Sequence, residues 1–176
     1  VTKKELIIII QEREGEYLWC EGPATFNECY FLDDKSYIFS KAPYFSDGVY
    51  FKVYSPLPSP DADPIGQSVF MDDFFAKALE FKKDLEVLGL KIVALDYKED
   101  ASKFLLESRG NTENPEVIFN NKDNFTESVS NLSVLLESDK VKNEFKENYK
   151  NLLYIDLRYG NKIYYKFADN GTLTHE

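Results

Sequence analysis

Tyr154-Ile155-Asp156-Leu157-Arg158-Tyr159-Gly160-Asn161-Lys162-Ile163-Tyr164-Tyr165-Lys166-Phe167 is the most informative stretch of the chain. Residues 154–158 and 163–167 read as strands, and Gly-Asn between two such runs is a hairpin signal. Successive strand side chains face opposite sides, so Tyr164 and Tyr165 put aromatic area on both faces, with Lys162 and Lys166 on the side of Tyr164. A last strand is often an edge, and an edge presents unpaired backbone groups. A tyrosine-rich edge suits a partner that binds by strand addition.

Upstream of the hairpin, a polar third helix carries Val141, Phe145 and Tyr149. A second helix begins near Asn124, with Phe125, Val129, Leu132 and Leu136 on one face. The strongest helix signal is Phe74, Ala78, Phe81, Leu85 and Leu88, which share one face. Asp72 is placed to cap its start and Gly89 to end it. Residues 90–97, 104–106 and 117–119 read as strands, as do 16–20, 30–32, 37–39 and 49–54, with a polar turn at 33–36. Residues 55–64 hold four of the seven prolines and read as an extended surface connection. Strands come first, then helix, strands, helices and the closing hairpin. That order predicts α+β, with a mostly antiparallel sheet and helices packed against it, not a doubly wound parallel sheet.

Composition narrows function. The chain has 176 residues, 43% hydrophobic and 30% charged, enough apolar material for one domain's core. Its formal net charge of −10 argues against a nucleic-acid backbone or an anionic membrane surface as partner. The one histidine, His175, stands next to the C-terminal residue, which argues against a His base or a multi-His metal site. The longest apolar run, Leu6-Ile7-Ile8-Ile9-Ile10, reads as a buried strand. It is too short for a membrane span, which needs about 20 residues. The opening residue is Val1, so the chain reads as a piece of a longer protein with any targeting segment upstream.

Cys20 and Cys29 sit beside aromatics with eight residues between them. They read either as a disulfide closing a short loop or as two buried thiols acting as small hydrophobes. Asp61, Asp63 and Asp72 partly imitate a calcium loop, but Ile65 supplies no side-chain oxygen at the fifth position, and an acidic linker with a helix cap fits better. Asn124, Asn131 and Asn170 begin matches to the N-glycosylation pattern that read as chance in an Asn-rich chain. Carboxylates are plentiful, but none is singled out as a catalytic pair. The sequence has no glycine-rich phosphate loop, metal-spaced Cys/His cluster or nucleophile elbow.

Residues 6–20 (LIIIIQEREGEYLWC), with Tyr30-Phe31-Leu32-Asp33-Asp34 and Ile38-Phe39, resemble the FtsQ/DivIB family of bacterial cell-division proteins. In that family a hydrophobic strand leads into a Glu-Arg-x-Pro-like segment, an aromatic strand, a Leu-x-Asp turn and a Val-Phe strand. Residues 85–93 (LEVLGLKIV) are similar to the family's helix, Gly-Leu and strand step. Residues 154–159 (YIDLRY) are similar to its terminal Tyr-Val/Ile-Asp-Leu-Arg-Tyr strand, the most specific of these motifs. The likeness runs over about residues 3–167, with 40–70 and 98–150 matched only in layout. Gly15 stands where the family tends to have Pro, and Ser36 where Gly usually follows the Asp turn. The Pro-rich insert and the Cys pair are not part of the pattern.

The resemblance implies that residues 1–12 are the last strand of a POTRA domain and 13–176 the family's β domain. It implies a divisome scaffold with no enzymatic activity and no cofactor. Such a scaffold lies on the extracytoplasmic face of the bacterial cell membrane, at the division septum, anchored by a segment outside this chain. Its partners would be FtsB/FtsL-type proteins bound along the C-terminal edge strand. Mapped residue by residue, the contact positions are Arg158, Tyr159, Asn161, Lys162, Ile163, Tyr164, Tyr165, Lys166 and Phe167. Arg158 fits the motif Arg, and Phe167 stands where a Trp can occur. The rival readings are another secreted α+β binding module and a carboxylate-dependent hydrolase of cell-wall glycans.

Overall fold

Strict alternation along two strands shows how the sheet is covered. In β6 (Ala101–Leu106), Ser102, Phe104 and Leu106 are buried while Ala101, Lys103 and Leu105 are only half-buried. In β7 (Glu116–Asn120), Val117 and Phe119 are buried between half-buried neighbours. One face therefore meets a core and the other stays partly wet. These observations come from a computed structural model that describes residues 12–22, 28–45, 48–109 and 114–168. The expected strand at 6–10, all but the last residue of the expected POTRA segment 1–12, Asn170 and His175 lie outside the described residues.

The remaining strands are β1 (Tyr17–Cys20), β2 (Cys29–Leu32), β3 (Ile38–Lys41), β4 (Phe51–Tyr54), β5 (Ile92–Asp96), β8 (Leu152–Tyr159) and β9 (Lys162–Phe167). The helices are α1 (Phe74–Val87), α2 (Phe125–Glu137) and α3 (Asp139–Asn148). The nine strands of the described residues form one sheet, in the order β3-β2-β1-β4-β5-β6-β7-β8-β9. Three neighbours are parallel, β1–β4, β4–β5 and β7–β8, and the other pairings are antiparallel. The fold is α+β with a mostly antiparallel sheet and a C-terminal hairpin, as the element order predicts.

Two of the parallel steps need helical crossovers, α1 between β4 and β5, and α2 with α3 between β7 and β8. Both crossovers start from strands of the same direction and step the same way along the sheet. Right-handed connection then puts all the helices on one face. Their side chains share a single core with that face. Phe81 of α1 stacks on Phe125 of α2, with centroids 4.5 Å apart, and meets Phe104 and Phe119 of the sheet at 5.6 and 5.2 Å. On the opposite face a smaller cluster forms around Leu18, Cys20 and Ala42, with Phe31, Phe45, Tyr50 and Tyr54 packed against it. Cys20 and Cys29 are direct cross-strand partners and are joined by a disulfide.

Two local expectations need correction. Asp73, not Asp72, occupies the N-cap of α1. Its φ/ψ of −82°/7° is not extended, and its side chain caps no amide. It pairs with Lys77 instead, while Asp72 accepts the Phe74 N–H at 3.1 Å. Gly89 does end the helix region with φ +91°. Residues 55–64 form no ladder, but they are folded back and not simply extended. The Gln67 side chain accepts from the Ser59 N–H at 3.1 Å and donates to the Ser59 and Asp63 carbonyls at 3.1 and 2.9 Å, closing the segment on itself.

Candidate functional site

The candidate residues lie on β8, β9 and the turn between them. Gly160 at φ +63° makes the turn, where a side chain would be strained, and Asn161 beside it is exposed. The register pairs Ile155 with Tyr165, Asp156 with Tyr164 and Tyr159 with Lys162. Opposed residues point to the same face, so the hairpin sorts its side chains into two sets.

Ile163, Tyr165 and Phe167 are half-buried on the helix-covered side. Phe145 of α3 meets Tyr165 and Phe167 with centroids 5.1 and 5.3 Å apart. The Tyr165 hydroxyl donates to Glu144 Oε2 at 3.0 Å. Burial, then that acceptor and its charge, hold the phenol above its ordinary titration range.

Lys162, Tyr164 and Lys166 form the other set and are exposed. Tyr164 meets Tyr159 edge-to-face at 5.2 Å, and both rings remain more than half exposed, at 51% and 55%. Among the described residues neither Lys162 nor Lys166 makes an ion pair. Beneath this set, on β8, the buried Asp156 carboxylate accepts from Arg158 Nε at 2.9 Å, Nη2 at 2.6 Å and the Arg158 amide at 3.1 Å. Burial pushes this carboxyl up, but the hydrogen bonds and charge of Arg158 outweigh it and leave the carboxyl below its usual range. The guanidinium lies 5.8 Å from the Tyr159 ring centroid.

The structure thus gathers Arg158, Tyr159, Lys162, Tyr164 and Lys166 on one exposed face, while Tyr165 and Phe167 anchor the strand to α3 and Ile163 packs on the core. Sequence reasoning passed over Asp156, although an acid two residues from Arg158 on one strand face is the signal that finds it. It also passed over Glu144 and read Phe145 only as a helix-face residue; the fold alone brings both to β9. Two tethers steady the hairpin: Asn120 Nδ2 donates to the Arg158 carbonyl at 3.3 Å and Asn131 Nδ2 to the Gly160 carbonyl at 3.4 Å.

Other candidate chemistry is accounted for locally. Asp63 accepts the Ile65 N–H at 2.9 Å, and Asn124 caps α2 by accepting the Glu127 N–H at 3.4 Å. Among the described residues no group of three or more His, Cys, Asp or Glu side chains is placed to hold a metal ion. A groove of about 890 Å³ opens on the helix-free face beside the disulfide, lined in part by Tyr44, Phe45, Tyr50 and Lys52. It includes none of the hairpin residues.

No family model matches this chain, and no curated protein does.

Proposed function

We propose that the chain is the extracytoplasmic β domain of an FtsQ/DivIB-type division protein, a non-enzymatic scaffold that takes an FtsB/FtsL-type partner as an added strand along β9. In this reading residues 1–12 end a POTRA domain, and a segment outside the chain anchors the protein in the bacterial membrane at the septum. The observation that carries the proposal is the position of β9 as the last strand of the sheet. Among the described residues it pairs with β8 alone. Its other side offers backbone donors and acceptors, flanked by exposed Lys162, Tyr164 and Lys166. Backbone pairing supplies affinity with little sequence demand, and the aromatic pair supplies specificity. Lys162 and Lys166 favour an acidic partner segment despite the net charge of −10, because such contacts act within about 8–10 Å.

The two buried carboxylates among the described residues do not form the close pair that the rival glycan-hydrolase reading would use. Asp33 sits at the end of β2 and bonds Arg13, while Asp156 sits on β8 and bonds Arg158. Six strand spacings separate β2 from β8, roughly 29 Å. A glycosidase pair needs about 5–9.5 Å.

The test is titration of wild type, Tyr159→Ala and Tyr164→Ala with a purified FtsB-type segment, after each variant is shown to be folded. Each truncation should cost about 2 kcal/mol, close to thirtyfold in Kd. Phe167→Ala is a poorer probe, since Phe167 leans on Phe145 and its loss mixes folding with binding. Unchanged affinity in both tyrosine variants removes the site.

A further inference from the structure

Among the described residues the open sheet has nine strands and two edges, β3 and β9. Each is a template for another strand unless something blunts it. The start of β3 is covered. The Ile38 N–H donates to the Gln67 carbonyl at 2.9 Å, and the Val69 N–H donates to the Ser36 carbonyl at 2.8 Å. These two bonds frame an antiparallel bridge between Tyr37 and Ser68. The Ser36 hydroxyl adds two more links at 3.1 Å, donating to the Phe70 carbonyl and accepting the Phe70 N–H.

The covering segment does not become a new edge. Its ladder stops after one bridge, because Gly66 at φ +97° turns the chain away and its N–H bends back to the Ile38 carbonyl at 2.8 Å. Beyond it, Pro60 and Pro64 have no N–H to offer an incoming strand. Gln67 holds the arrangement: its backbone takes the β3 amide while its side chain ties together Ser59 and Asp63. At the far end of β3, exposed Lys41 is paired with Glu28, a second edge-blunting feature.

We propose that residues 59–70 are an edge guard latched by Gln67, which occupies the entry of the β3 edge at Ser36–Ile38 in cis and so prevents a second copy of the chain from pairing along it. This gives the Pro-rich stretch a role, and it stands whether or not β9 takes a partner.

The test is Gln67→Ala, read by native-state amide exchange at Ile38 and Val69, with Leu95 of central β5 as the control. Exchange at Ile38 should quicken about tenfold or more while Leu95 is unchanged. Sedimentation should then show concentration-dependent self-association beyond that of wild type. Ser36→Gly should do the same, since it removes the hydroxyl bridge yet tolerates the φ of +62° at that position. Unchanged Ile38 exchange in both variants overturns the proposal, as does an opened β3 edge with wild-type sedimentation. Equal acceleration at Leu95 in both variants also overturns it, because the segment would then support the whole fold.

Discussion

Replacing Asp156 by Asn tests the reading of the site through its least visible member. The Asp156 side chain is 8% exposed, and it accepts three N–H groups from Arg158, whose side chain is 36% exposed. Asn keeps the shape but loses the charge and turns an NH2 toward the guanidinium. Hydrogen bonds to charged groups are worth about 1.5–3 kcal/mol against about 0.5–1.5 for neutral ones, so roughly 1–1.5 kcal/mol goes with the charge. The mispaired NH2 adds to this, while water at the exposed edge of Arg158 takes back part. The expected loss is about 1–2 kcal/mol at pH 7.5. The pH dependence has a definite sign. The folded carboxyl titrates below its ordinary value, so its stabilisation is present above about pH 4 and is lost as pH falls through the folded value. Urea unfolding of wild type and Asp156→Asn across this range, with equal m-values, should show a gap that narrows below about pH 4. A gap that is constant with pH, or a variant as stable as wild type at pH 7.5, refutes the claim that the Asp156 charge braces Arg158.

Phe81→Ala removes a ring that is 1% exposed and contacts three other rings, so a loss of about 3–5 kcal/mol is expected; chemical denaturation showing less than 1 kcal/mol would mean that α1 presents another face. Reduction of Cys20–Cys29 should lower stability by up to about 2.6 kcal/mol, the loop-closure value for a sequence separation of 9. Two titratable thiols in native protein from an oxidising compartment would contradict the bond.

Local pattern carried much of this fold, and the misses have physical reasons. The 3–4 spacing of Phe74, Ala78, Phe81 and Leu85 and the alternation around Phe104 and Val117 report burial directly, because each side chain's direction follows from its own backbone. Strand order is different. Nothing in Tyr17–Cys20 or Phe51–Tyr54 announces that β1 and β4 run parallel as neighbours, since their contact depends on where the β2–β3 hairpin goes. Four prolines show that residues 55–64 cannot form a ladder, but not that Gln67 will fold them back onto β3. The cysteine pair stayed ambiguous for a similar reason: whether Cys20 faces Cys29 is a question of register. In the candidate site, alternation sorted Tyr164 from Tyr165, but only the fold shows that the helix lies on the side of Tyr165.

That sorting bears on why β9 can be an open edge and still keep its place. A one-residue slip against β8 would turn Lys162, Tyr164 and Lys166 toward α3 and expose Ile163, Tyr165 and Phe167. The slipped register would turn lysines into the helix-covered side, put a polar group where Tyr165 and Phe167 meet Phe145, and break the Tyr165–Glu144 bond, each a costly change in an apolar setting. The contacts on the helix side therefore fix the register of β9 without using its outer backbone edge. In the proposed reading an incoming strand would meet donors and acceptors already in position, with little ordering of β9 left for binding to accomplish. An edge held only by its hairpin partner would have to be ordered by the incoming strand. Anchoring by Phe145 therefore stabilises the fold through one face of β9 alone and leaves the outer edge for the recognition proposed above.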